Sequence, residues 1–453
     1  MPSAGNGPGD KADSNLRPTC GNTMPDQPVV IQKISWADLC PWTIIFKTLP
    51  IASSFTVLAL ALVGTVVTPA GWWLSEQAFV NDALRENVAF MEMVERNNSP
   101  FGGVFRDLPG RDSSAEFLGI RVSGPRDVFR QFVSPYQNLF DRRYGLREFG
   151  YFLFGIGWTL ALWGFVGLAI ARVSLVRLTR NEFVGLDDAF DFSKRNWTTV
   201  VGAIGAPLAA VGALCVPAFL LGLLMTFDLG AMLVGFLWVL VLLLSAAIAV
   251  LLLGLMFGWP LMVASVGCES QNSFDAMTRS YAYTFQRPLN YLFYALVSIL
   301  FGGLCWMVVS ALADGVVGLT YWTTSWGANV AAADRMDLIA AGPPLTPDDE
   351  SATSSLSIGR SAIGFWNGVI RSLAAGFLYG LFWCLASAVY LLLRKDVDET
   401  EMDEILIDEE QRSYQLPPLQ SDSLGIPQVK TMEDEAEETI EHLGQPNPPD
   451  DQG

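Results

Sequence analysis

Side chains commonly recruited for catalysis are thinly spread in this chain. The one histidine, His442, stands near the C-terminus. That leaves Ser-His-Asp, Cys-His and zinc-hydrolase chemistry without a base or a ligand set. Six cysteines fall at Cys20, Cys40, Cys215, Cys268, Cys305 and Cys384 with no CxxC pairing, so neither a disulfide framework nor a zinc site is legible. No Walker A, Gly-x-Ser-x-Gly or HExxH pattern occurs. The acidic run Asp396 to Glu410 invites a calcium reading, but Glu401 occupies the position an EF-hand needs for glycine and Ile407 that of its bidentate acid. A solvated tail, or a docking segment using Ile405, Leu406 and Ile407, suits it better. The expectation is no catalytic residue, no metal and no cofactor.

Two carboxylates remain for acid–base work. Asp188, within Leu186-Asp187-Asp188-Ala189-Phe190, and Asp275, within Phe274-Asp275-Ala276-Met277, each occupy a polar stretch between apolar runs. An enzyme built on that pair is the weakest of three functional readings, because a solvated interfacial carboxylate is the ordinary case.

The elements that would carry these residues follow from the apolar runs. About 20 helical residues cross a hydrocarbon core roughly 30 Å thick, and only hydrogen-bonded helices satisfy their own backbone there. Six such runs occur, near 49–70, 151–171, 200–225, 231–257, 292–312 and 373–393. The expected fold is therefore all-α: a polytopic integral membrane protein with about six transmembrane helices and interfacial amphipathic helices. Gly258-Trp259-Pro260 is expected to bend the fourth run as it leaves the membrane.

Residues 1–35 read as a disordered cytoplasmic segment and 36–70 as an interfacial lead-in with span 1. Residues 71–148, with ten arginines, eleven acids and no lysine, read as a mainly helical extracytoplasmic cap, with helices near 77–96 and 126–140. Spans 2–5 occupy 149–318, with cytoplasmic interfacial helices near 185–197 and 272–286. An extracytoplasmic loop (319–364), span 6 (365–395) and an acidic disordered cytoplasmic tail (396–453) complete the chain. Of the net charge of −18, −16 belongs to that tail, which holds 18 of the 46 acids and two of the 28 bases. So acidic a segment disfavours nucleic acid and anionic headgroups as its partners and leaves a protein partner as the reading.

The stretch Glu269 to Tyr294 organises the rest. Phe274, Met277, Tyr281 and Phe285 recur at helical spacing on one face, with Asp275, Thr278, Arg279 and Gln286 elsewhere. Such a helix lies on a membrane surface, turning into the next span at Arg287-Pro288. Asp188, Phe190, Phe274, Asp275, Met277, Arg279, Tyr281 and Arg287 are thus the candidate interfacial or partner contacts. The two Asp-Ala elements also permit an internal duplication of spans 2–3 and 4–5. Gly254/Gly258 and Gly376/Gly380 permit close helix packing, within the chain sooner than between copies.

Orientation follows from Lys and Arg at span ends. Arg172, Arg177, Arg180, Lys194 and Arg195 after span 2, and Arg394-Lys395 after span 6, set both termini in the cytoplasm, with Arg371 the one local dissent. Spans 2 to 6 carry essentially no charge at mid-depth, which disfavours a proton- or ion-coupled carrier.

Three segments, GCESQNSFDAMTRSYAYTFQRPLNYLFY from Gly267, FWCLASAVYLLLRKDVDETEMDEI from Phe382 and IARVSLVRLTRNE from Ile170, resemble an uncharacterised family of bacterial polytopic membrane proteins over most of residues 36–410. The resemblance implies a location in the cytoplasmic (inner) membrane and brings no reaction. The leading functional expectation is a non-enzymatic organising or accessory protein. A permease or lipid-handling protein using spans 2–5 is the alternative.

Overall fold

A computed structural model describes residues 40–98, 124–139, 144–269, 272–328, 354–399, 420–421 and 427–428. The expected N-terminal segment up to 35 and nearly all of the acidic tail lie outside these residues. So does the middle of the second outer loop. The chain divides after Pro41, and the following account concerns the unit from Trp42 onward.

Apart from a two-residue antiparallel pairing of β1 (Gln420–Ser421) with β2 (Pro427–Gln428), the regular structure among the described residues is helical. Six helices are long and apolar enough to cross a membrane: α2 (Phe55–Phe79), α6 (Leu146–Arg180), α7 (Leu186–Leu224), α9 (Trp238–Glu269), α11 (Pro288–Ala328) and α12 (Ser354–Asp398). The protein is an all-α polytopic membrane protein.

Local chemistry sets several boundaries. The short α1 (Thr48–Ala52) ends where Ser53 and Ser54 donate their hydroxyls back to Leu49 O and Ile51 O, at 2.9 and 2.6 Å. The first span consequently starts later than the apolar run and continues to Phe79. The surface helix expected near 77–96 is two pieces, α3 (Asp82–Arg85) and α4 (Val88–Asn98). Asn81 and Asn87 each accept from a backbone N–H three residues on, at 3.2 Å, which restarts the helix twice. Asn181, in the left-handed conformation at φ 57°, ends α6.

The fourth span departs most from expectation. A short α8 (Asp228–Phe236) precedes α9, and α9 continues without a break past Pro260 to Glu269. Pro260 removes one backbone hydrogen bond. Leu261 to Cys268 beyond it are all buried, and that packing holds the helix together. The segment near 185–197 is likewise not a separate helix but the opening turns of α7. Only α10 (Ser273–Gln286) stands alone, where Pro288 restarts the chain. The two proposed repeat units therefore differ at their shared motif.

Burial ranks the spans. In its most apolar window α12 is 94% buried, against 11% for α7 and for α9. The last helix is the axis of the bundle, and α7 and α9 turn most of their surface outward. Both glycine pairs serve contacts inside the chain. A Cβ on Gly254 would meet Tyr281 of α10, and those on Gly376 and Gly380 would meet Leu62 and Val57 of α2.

The helix expected near 126–140 exists as α5 (Pro125–Leu139). It inserts among the spans rather than lying above them. Gly124, at φ +152°, packs against Gly303, and Pro125 sits where a Cβ of Gly302 would fall, beside Leu385. Leu385 is nine residues from Arg394, roughly 14 Å of helix rise, so the start of α5 lies near mid-bundle. Val128 is fully buried, Phe132 contacts Trp163, Trp259, Phe382 and Trp383, and Tyr379 donates to Gln131.

Candidate functional site

Two assemblies stand out, one at the end of the bundle where α12 terminates and one within it. At the α12 end, the break between α9 and α10 brings Glu269 against two guanidinium groups. Arg394 approaches it at 3.0 Å and Arg279 at 2.8 Å. Glu269 and Arg394 are nearly buried, with side chains 9% and 8% exposed, whereas Arg279 is 40% exposed. Arg394 also donates to Cys268 Sγ at 3.5 Å, and Arg172 of α6 donates to Gly267 O at 3.0 Å while lying over the Phe192 ring. One layer of charge thereby ties α6, α7, α9, α10 and α12 together.

The first acids of the tail join this layer. Tyr283 of α10 donates to Asp398, and Arg279 stands 4.0 Å from the same carboxylate. Asn290 and Tyr294 of α11 both donate to Asp396 Oδ2, at 2.9 and 2.8 Å. The acidic run thus begins as a clamped helix end.

On α10, burial pushes the Tyr283 phenol far above its ordinary range, assisted by Tyr390 and by the bond to Asp398, so it stays a donor. Burial alone pushes Tyr281 up to about 12. Burial works against the charge of Arg279, but Glu269, Tyr390, Tyr283 and Asp398 outweigh it and raise its pKa.

The eight expected contact residues are only partly brought together. Arg279 belongs to the charged layer, and Tyr281 donates to Leu251 O at 2.7 Å while Met277 packs on the core. Phe274 and Phe285 are exposed, as are Asp275 and Arg287. The face of α10 that meets protein is Ala276, Ser280, Tyr283 and Thr284. Asp188 and Phe190 lie exposed on the first turns of α7, with Phe190 against Phe165. Ser273 at the start of α10 bonds Thr199 O, and Asp188 is 11 residues back along α7, roughly 16 Å away. The start of α10 is thus anchored about three turns of α7 from Asp188, and Asp188 and Asp275 are each exposed. Among the described residues no three His, Cys, Asp or Glu side chains gather as a metal would require.

In the sequence Arg394 stands out only as an orientation signal, and no local pattern marks Glu269, Tyr283, Asn290 or Tyr294 as members of a site. An available hint was that four tyrosines and a glutamate share the stretch Glu269 to Tyr294 with Arg279.

The second assembly is a cavity of about 440 Å³ in the bundle, within the usual range of ligand sites. Trp72 of α2, Phe132 of α5, Trp163 of α6, Ile204 of α7, Trp259 of α9 and Trp383 of α12 line it. Its walls come from spans 1, 2, 3, 4 and 6 together with α5, and span 5 supplies none of the lining. The indole N–H groups of Trp259 and Trp383 are buried and have no acceptor among the described residues. Leu160, Leu208 and Leu252 are half-buried and Met256 is exposed, so the rim lies on the outward side of α6, α7 and α9. This arrangement can hold a hydrocarbon chain, with Tyr136, Gln137 and Thr159 the polar side chains of an otherwise largely apolar lining. The chain matches no family model, no curated protein and no solved structure.

Proposed function

We propose that this chain is a non-enzymatic organising or accessory protein of the cytoplasmic (inner) membrane, with both termini cytoplasmic, that presents its acidic tail to protein partners from a rigid base. The observation that carries this reading is the clamping of Asp396 and Asp398 by Tyr283, Asn290, Tyr294 and Arg279. A loose linker would need none of these bonds. Localisation rests on the gathering of Arg172, Arg177, Arg180, Lys194, Arg195, Arg394 and Lys395 on the α6, α7 and α12 ends of the same layer. The test is crosslinking and co-purification from cells, comparing the intact chain, a chain ending after Glu401, and D396N/D398N. Partners lost from the truncated chain and reduced in the double variant support the reading. An identical partner set in all three overturns it.

A permease or lipid-handling role is a second reading, supported by the apolar cavity. Its test is lipid transfer or solute uptake in vesicles containing the purified chain. Rates equal to those of protein-free vesicles remove it.

A further inference from the structure

The charged groups of α5 do not belong in the interior of a membrane bundle unless something meets them. Arg126 and Arg130 are both exposed, and among the described residues neither makes an ion pair or hydrogen bond. They share one stripe of the helix with Val133 and Gln137, at spacings of four, seven and eleven residues. Val133 and Gln137 line the cavity. The two guanidinium groups therefore continue the α5 wall past the edge of the apolar space. Asp127, the one acid on α5, accepts from the N–H of Gly124 at 3.2 Å and serves the start of the helix. Ionisable groups at membrane depth are costly and mark places where a charged or polar species passes or rests.

We infer that α5 and the cavity form a binding site for a membrane lipid with an oxyanion head. One hydrocarbon chain lies among Trp163, Trp259 and Trp383, and the carboxylate or phosphate is held by Arg126 and Arg130. Arginine suits such a head because its planar fork donates two parallel hydrogen bonds to an oxyanion. The indole rings of Trp259 and Trp383, the latter 1% exposed, give the chain flat apolar walls. The half-exposed rim on α7 and α9 lets a chain enter sideways from the bilayer, without crossing water. The inference rests on the cavity of the second functional reading and does not require transfer. Binding without transfer would remove the carrier and keep the site.

The test uses the full chain, purified in detergent and stripped of lipid, titrated under native mass spectrometry with oleate, dioleoyl phosphatidylglycerol, dioleoyl phosphatidylcholine and oleyl alcohol. The expected result is one molecule per chain and at least about tenfold tighter binding of an oxyanion ligand than of its neutral or zwitterionic counterpart. Oleate ahead of phosphatidylglycerol identifies a free fatty acid, and the reverse order a phospholipid. R126Q/R130Q should abolish the preference and leave oleyl alcohol binding unchanged. Leu208→Trp and Leu252→Trp, on two helices at the rim, should each block every ligand. Equal binding of all four lipids, a preference that survives R126Q/R130Q, or binding indifferent to both tryptophans overturns the site. If both tryptophan variants fail to fold, the exposed arginine pair decides alone.

Discussion

Replacing Glu269 separates a structural buried charge from an ornamental surface one. Its carboxylate meets Arg394 at 3.0 Å and Arg279 at 2.8 Å, so distance alone ranks the two pairs as equals. Burial does not. Arg394 is 8% exposed and cannot turn to water when its counter-charge goes, whereas Arg279 is 40% exposed and can. Breaking a buried pair by deleting one partner costs about 3–5 kcal/mol. An exposed pair contributes about 0–1 kcal/mol. Glu269→Ala should therefore destabilise the chain by about 3–5 kcal/mol, and Arg279→Ala by no more than about 1 kcal/mol. The double replacement E269L/R394M removes both buried charges and should recover most of the loss, since apolar substitutes for a buried pair are often neutral. Reversible unfolding in mixed micelles, followed by tryptophan fluorescence, reads all three. The reasoning fails if Arg279→Ala costs as much as Glu269→Ala, or if E269L/R394M is no better than Glu269→Ala alone.

Three further outcomes are expected. Gly302→Ala places a methyl 2.3 Å from Pro125 and 2.9 Å from Leu385, so it should cost about 1–3 kcal/mol by overpacking, whereas Gly315→Ala, into open space, should stay within about 0.5 kcal/mol in the same assay. Tyr379→Phe removes the donor to Gln131, which should cost about 1–3 kcal/mol and speed proteolysis around α5, read by timed digestion in detergent. Tyr281 has a folded pKa pushed up to about 12 from 10.0, so the fold keeps its phenol protonated. Its contribution is complete below pH 10 and is lost as pH rises from 10 towards 12, and ultraviolet titration of wild type against Tyr281→Phe should show one phenol ionising near 12.

The number and type of the spans were legible because hydrocarbon thickness sets a length that apolar runs either reach or miss. Their ends were less so. Gly258-Trp259-Pro260 reads as a bend at the membrane edge, and only the burial of Leu261 to Cys268 shows why the helix continues beyond it inside the protein. The polar composition of α5, with Arg126, Asp127, Arg130 and Gln131, reads as a surface helix. Its depth depends on a notch at Gly302 and Gly303, about 180 residues away in the chain, which no local pattern encodes. On α10 the spacing of Phe274, Met277, Tyr281 and Phe285 was visible, but not which face meets protein. The small residues Ala276 and Ser280 with Tyr283 pack inward, leaving Phe274 and Phe285 outward as an apolar ridge. The charged layer could not be read at all, because Glu269, Arg279 and Arg394 come together only once α9, α10 and α12 are assembled.

The proposed topology has six helices threading the membrane, with the charged layer and both termini on the cytoplasmic side. It is tested most directly by single cysteines introduced at Glu95 and at Asp187, in a chain with Cys20 and Cys40 replaced by serine. Intact cells are exposed to a membrane-impermeant thiol reagent. Labelling is expected at position 95 in intact cells and at position 187 only after the membrane is opened. Labelling at 187 from outside, with 95 protected until lysis, would contradict it.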